Sequence, residues 1–161
     1  MKNYKIVIIL LNLVLLLGFF TNAVLKKEAT LKSGKFILLE LAPVDPRSLM
    51  QGDYMQLRYK ISSDVKVDSF AKRGYCIVIL DDSSRANFVR FQANKEPLYK
   101  NEVPIKYFSR DNWNINIGAE SYFFQEGKSG KYSSAKYGGI KIDADGNSLL
   151  VDLYDTQLKK L

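Results

Sequence analysis

Gly52-Asp53-Tyr54-Met55-Gln56-Leu57-Arg58-Tyr59-Lys60-Ile61 (GDYMQLRYKI) alternates apolar and polar side chains. On an extended chain Met55, Leu57, Tyr59 and Ile61 share one face, while Tyr54, Gln56, Arg58 and Lys60 share the other. This period of two predicts a strand with one buried face, and Gly52 can supply a positive φ where it starts.

Just upstream stands Pro43-Val44-Asp45-Pro46-Arg47. Pro46 fixes its own φ, and the two prolines push Ala42 and Asp45 toward extended geometry. Asp45 has the chemistry to cap a turn by accepting backbone N–H groups, and Arg47 to pair with it or with Asp53. The stretch reads as a rigid loop that braces the strand or binds something beside it.

The same two-residue rhythm recurs downstream. KFILLELAP reads as a strand ended by Pro43, and SSDVKVDSFAKR as a short helix or a loop. GYCIVILDDSSRANFVRFQ reads as a hairpin turning at Asp81-Asp82-Ser83-Ser84. VPIKYF, WNINIG (Trp113, Ile115 and Ile117 on one face, Asn114 and Asn116 on the other) and ESYFFQEG add short strands. KSGKYSSAKYGG reads as a loop with room for one helical turn. IKIDADGNSLLVDLYD closes the chain as a hairpin around Asp145-Gly146. Beyond the N-terminal region no segment sustains a 3.6-residue period for more than two turns.

That region differs in kind. Ile6 to Val24 carries no charge and only Asn12, Thr21 and Asn22 as clearly polar side chains, about the length needed to cross a hydrocarbon core of roughly 30 Å. A secretory signal peptide is the rival reading, since Lys2 and Lys5 form a basic start; its apolar run is shorter, and Thr21-Asn22-Ala23 matches a small-x-small cleavage site poorly. The fold class expected is mainly β: an N-terminal transmembrane helix followed by a compact antiparallel β domain, either a small barrel or a folded sheet. Residues 1–25 are the anchor, 26–34 a polar spacer and 35–161 an extracytoplasmic β domain. Lysines flank both ends of the span, so the orientation rests on the usual behaviour of a short N-terminal tail.

Composition narrows the chemistry. The chain has no histidine, which removes Ser-His-Asp and Cys-His catalysis and the usual His-containing zinc sites. Cys76 is the single cysteine and sits in the apolar run YCIVIL, where a buried small hydrophobe is expected. The net charge is +7 and the pI about 9.4. Basic residues are scattered among acids without a run of four, so the charge suits an anionic membrane surface or an acidic partner rather than nucleic acid.

Two further stretches are weighed against bland readings. DADGN (Asp143–Asn147) has the spaced carboxylates of a calcium loop, but the twelfth position is Tyr154 and strands flank it, so turn chemistry is expected. KSGKYSSAKYGG (Lys128–Gly139) lacks the glycine spacing and strand-to-helix context of a phosphate-binding loop. It joins Lys128, Lys131 and Lys136 with Tyr132 and Tyr137, a basic-aromatic group that suits a partner or lipid head group as well as a solvated loop.

Gly52-Asp53-Tyr54 followed by Leu57 and Tyr59 resembles the pattern that names the GDYXXLXY family of bacterial membrane-anchored proteins. The preceding Pro43 to Arg47 and the later Tyr122 to Asp143 are similar to that family as well. The resemblance implies no established activity; it implies an extracytoplasmic companion of a polytopic membrane protein, and no cofactor is expected. A more distant scaffold likeness is to type I signal peptidases. Pro46, Leu49, Gly52 and Asp53 look like one of their boxes, and Tyr122-Phe123, Gly127 and Lys136-Tyr137 with Gly139 like another. Where those enzymes carry their serine this chain has Val44 and Asp45, so the Lys72-Arg73 pair, which looks like theirs, has no nucleophile to activate.

The resulting expectation is a non-catalytic membrane-anchored envelope protein, in the bacterial inner membrane with its domain outside the cytoplasm. It would act as an accessory or binding component of a membrane complex. Asp45, Arg47, Asp53, Tyr54, Glu126 and Tyr137 are the candidate binding residues, with Pro43, Pro46, Gly52, Leu57, Tyr59 and Gly127 as structural positions of the motifs. No metal ligands are assigned. The alternatives are a diverged enzyme, using the carboxylates of Asp45, Asp53 and Glu126 or a displaced Ser48–lysine pair, and a lipid- or polymer-binding module.

Overall fold

A computed structural model describes residues 3–42, 54–63, 71–109, 114–125 and 127–161. Helix α1 spans Asn3–Ser33 and is long and apolar enough to cross a membrane. Its large apolar side chains from Ile6 to Leu25 are exposed. The polar segment 26–34 is not a separate spacer in conformation: it continues α1 to Ser33. Lys26 to Ser33 contains no proline or glycine, and Glu28 and Lys32 pair at 3.7 Å one turn apart.

Nine strands and two single-turn helices follow among the described residues. Strand β1 is Lys35–Glu40, β2 Tyr54–Gln56, β3 Arg73–Leu80, β4 Ala86–Gln92, β5 Glu102–Ser109, β6 Ile115–Asn116, β7 Ser121–Phe123, β8 Tyr137–Ile142 and β9 Ser148–Tyr154. Helices α2 (Lys60–Ser63) and α3 (Ser129–Tyr132) interrupt them. Three antiparallel sheets result, ordered β1-β8-β9, β2-β7 and β4-β3-β5-β6.

The architecture is therefore the folded sheet and not the closed barrel. The two larger sheets pack on one another through a shared core and are linked by backbone hydrogen bonds at two turns. Leu38 donates its N–H to Ser84 O at 2.8 Å beside the Leu38–Arg85 bridge, and Lys106 donates its N–H to Gly146 O at 2.8 Å. Ile37 and Leu39 of β1, Cys76 and Val78 of β3, Val103 and Ile105 of β5, and Ile140 and Leu153 of the last hairpin form one core. Met55 joins it from β2, and Leu57 and Tyr59 from the segment that follows β2.

Both predicted hairpins form, because each carries its own turn chemistry. In β3–β4, Asp81 Oδ1 accepts the N–H groups of Ser83 and Arg85, both at 2.9 Å, and Oδ2 pairs with Arg85 Nε at 2.7 Å. A bulge places Val78 opposite Phe88 and Ile77 opposite Arg90, so Val89 has no partner across the ladder. In β8–β9, Asp143 Oδ1 accepts N–H groups from Asp145 at 2.9 Å and Asn147 at 2.8 Å, and Gly146 takes φ +85°. The DADGN carboxylate is thus occupied by the turn itself.

From Met55 to Lys60 the stretch GDYMQLRYKI obeys its predicted burial, but it is not one strand. Met55, Leu57 and Tyr59 are buried, whereas Ile61 is half-buried on α2. The chain changes partners midway: Leu57 N–H bonds Glu120 O at 2.7 Å, while Arg58 O accepts from Ala42 N–H at 2.8 Å beyond β1. In WNINIG the strand shrinks to Ile115–Asn116, with Ile115 and Ile117 buried as expected; Trp113 lies outside the described residues.

Candidate functional site

The two motifs separated in sequence meet in space. Strand β2 pairs with β7, setting Tyr54 opposite Phe123, Met55 opposite Tyr122 and Gln56 opposite Ser121. Behind β7, the Tyr122 ring packs edge-on against Tyr132 at 5.2 Å between centroids, and Phe124 lies 5.3 Å from the same ring. Burial, then the neighbouring Tyr132 and the charge of Asp152, push the Tyr122 phenol up to about 12, so it remains protonated. On the other side Phe123 is 74% exposed.

Tyr59, the last residue of the GDYMQLRY pattern, ties both motifs to the core. Its hydroxyl donates to Ala119 O, and its ring lies against Gly138. Burial, reinforced by the Glu120 carboxylate, pushes this phenol far above its ordinary range. Tyr59 is a neutral structural donor here. Leu57 is equally committed to packing, as its place in the alternation predicted.

Beside this junction lies a cleft of about 230 Å3, lined by Gln56, Arg58, Ser62, Asn114, Asn116 and Glu120 among others. The polar sides of GDYMQLRY and WNINIG supply Gln56, Arg58, Asn114 and Asn116, and Ser62 and Glu120 complete the lining. Glu120 accepts the N–H groups of Ile117 and Gly118, so its carboxylate is partly spent on the backbone. Arg58 makes no ion pair among the described residues. Amide, guanidinium and hydroxyl groups of this kind suit hydrogen bonding to a polar ligand or an extended chain.

Tyr137 is placed apart from Tyr59. It adjoins Gly138 on β8, so its side chain takes the opposite face, where its hydroxyl, after Asp81, helps to raise the Arg85 guanidinium. Its strand neighbour Glu40 pairs with Lys60 at 3.3 Å and Lys136 at 3.2 Å. Burial would raise the Glu40 carboxyl, but these two lysines outweigh it and hold the group below its usual value. Of the remaining expected residues, Gly127 is exposed with φ +80°, and only the backbone of Tyr54 is described. Pro43, Asp45, Pro46, Arg47, Gly52, Asp53 and Glu126 lie outside the described residues, as does Ser48.

Sequence reasoning singled out neither Glu120 nor the cleft. Their one signal is the polar rhythm of Asn114 and Asn116, which says nothing about Gln56 and Arg58, more than fifty residues upstream. Cys76 is fully buried, and burial pushes its thiol well above its ordinary range. Among the described residues no His, Cys, Asp or Glu group is arranged to hold a metal ion.

A family model described as GDYXXLXY protein matches residues 16–153, from within the apolar helix to the last strand. No curated protein and no solved structure matches the chain.

Proposed function

The chain belongs to the GDYXXLXY family, and on that premise we propose that it is a non-catalytic, membrane-anchored envelope protein serving as a binding component of a membrane complex. The observation that carries this reading is α1. Its apolar side chains stand exposed from Ile6 to Leu25, and the same helix runs unbroken to Ser33, where Lys141 Nζ donates to Leu31 O and ties it to the β domain. Exposed apolar surface on this scale calls for lipid or another helix. The domain is thereby held close to the membrane, on the extracytoplasmic side of the bacterial inner membrane in this reading.

The partner in this reading is a polytopic membrane protein. Its contact face is the junction of the two motifs, where Phe123 and the cleft at Arg58 adjoin Tyr54, with Asp45, Arg47, Asp53, Glu126 and Tyr137 contributing to recognition. Capture of the full chain from membranes in mild detergent tests this. Alanine at those six candidate residues should abolish co-purification of the partner while the domain stays folded; undiminished capture would refute the surface. A C-terminal reporter active only outside the cytoplasm tests the orientation, and an inactive reporter on a stable fusion would reverse it.

A further inference from the structure

A second cleft, of about 540 Å3, opens where α1 meets the edge of β5. Three cations from three separate elements line it: Lys27 of α1, Arg73 at the start of β3 and Lys106 of β5. No carboxylate is among its lining residues, and none of the three cations makes an ion pair among the described residues. The charge of Lys106 acts on Asp143, whose oxygens already accept hydrogen bonds from Asp145 and Asn147. Among the described residues Lys106 Nζ itself reaches only Asn147 Oδ1, at 3.5 Å.

A longer groove of about 690 Å3 continues from this cleft. It runs between α1, from Ala23 to Ser33, and the β8–β9 turn, and it shares Lys27, Asn147 and Ser148 with the cleft. Asp143 and Asp145 lie on its turn side and Lys26 on its helix side. Ala23 belongs to the uncharged run that ends at Val24, so the groove leads from apolar helix to basic cleft. With α1 in a bilayer, Lys26 and Lys27 fall at the level of the lipid headgroups, where basic side chains meet anionic lipid.

We propose that this composite groove holds an anionic phospholipid, its phosphate between Lys27, Arg73 and Lys106 and its acyl region along α1 toward Ala23. The recognised chemistry is a phosphate-bearing anion; the continuity with the apolar helix is what favours a lipid over free phosphate. The site depends on α1 lying in a membrane but not on a protein partner, so lipid retention and partner capture fail separately.

The test is native mass spectrometry of the full chain exchanged into phosphatidylcholine nanodiscs with and without phosphatidylglycerol, with inorganic phosphate as a further arm. One phosphatidylglycerol should be retained by the wild-type chain. The variant Lys27→Gln/Arg73→Gln/Lys106→Gln should retain it at least tenfold less. A control of equal charge change, Lys72→Gln/Lys95→Gln/Lys100→Gln, should behave as wild type. The single variants Lys27→Gln and Lys106→Gln, each removing one exposed charge, should show intermediate loss and guard against misfolding of the triple variant. Equal loss in cleft and control variants would overturn the site. Displacement of the lipid by millimolar inorganic phosphate, or equal retention of phosphatidylcholine, would overturn the anionic-lipid assignment.

Discussion

Tyr59 and Gly138 pack against each other so closely that a Cβ on Gly138 would lie 3.0 Å from Tyr59 Cε1 and 3.3 Å from its hydroxyl oxygen. The ring is fully buried and held in place by its bond to Ala119 O. Neither side has room to retreat. Gly138→Val should therefore cost about 1–3 kcal/mol through overpacking. Tyr59→Phe should cost about 1–3 kcal/mol by leaving the Ala119 carbonyl unpaired. Urea unfolding checks both: the midpoint should fall with the slope unchanged, and a wild-type midpoint in either variant would contradict the packing described.

Asp143 sets a pH dependence. Burial would raise its carboxyl, but hydrogen bonds from Asn147 and Asp145, with the charge of Lys106, hold it below its ordinary value of 3.8. A carboxyl lowered in the folded state adds stability that is complete above the unfolded value and disappears as pH falls through the folded one. The loss belongs below pH 3.8. Asp143→Asn should flatten thermal stability against pH in that range relative to wild type, and parallel curves would remove Asp143 as the cause.

Cys76 should be silent while the protein is folded. Its thiol is buried among Val78, Ile105 and Tyr107 neighbours of the core and kept protonated by that burial. A maleimide should label it only as urea unfolds the domain, with labelling and loss of β structure sharing one midpoint. Rapid labelling of the native chain would show that the β3 core is open to solvent.

Arg58 separates binding from stability. Its side chain is exposed on the cleft beside β2 and has no ion pair among the described residues. Arg58→Ala should shift stability by no more than about 0.5 kcal/mol, as is usual for surface substitutions. Partner capture should nevertheless weaken. Full capture by a folded Arg58→Ala chain would take the cleft out of the contact face.

Much of the fold was legible because it is locally encoded. Asp81 and Asp143 each organise a turn within four residues of themselves, so the hairpins of β3–β4 and β8–β9 could be read directly. The alternation of Met55, Leu57 and Tyr59 likewise announced which side chains are buried. It did not reveal that Leu57 bonds Glu120 while Arg58 bonds Ala42, because strand partners distant along the chain leave no local trace. The alternation therefore predicts one continuous strand where the chain in fact exchanges one backbone partner for another. The closed barrel was a fair alternative for the same reason: strand content is local, but whether the sheet edges meet is not.

The candidate sites divide in the same way. By itself the sequence determined an apolar N-terminal helix, a β domain without histidine, and the roles of Leu57 and Tyr59 as core, since hydrophobic period and residue chemistry are properties of the chain. Only the tertiary structure decided that the two motifs meet as β2 and β7. It alone brought Lys27, Arg73 and Lys106 to one cleft. In the sequence each of those cations is an ordinary solvated charge. Their shared field exists because the turn at Gly146 bonds β5 and packs along the end of α1, a contact between segments more than a hundred residues apart.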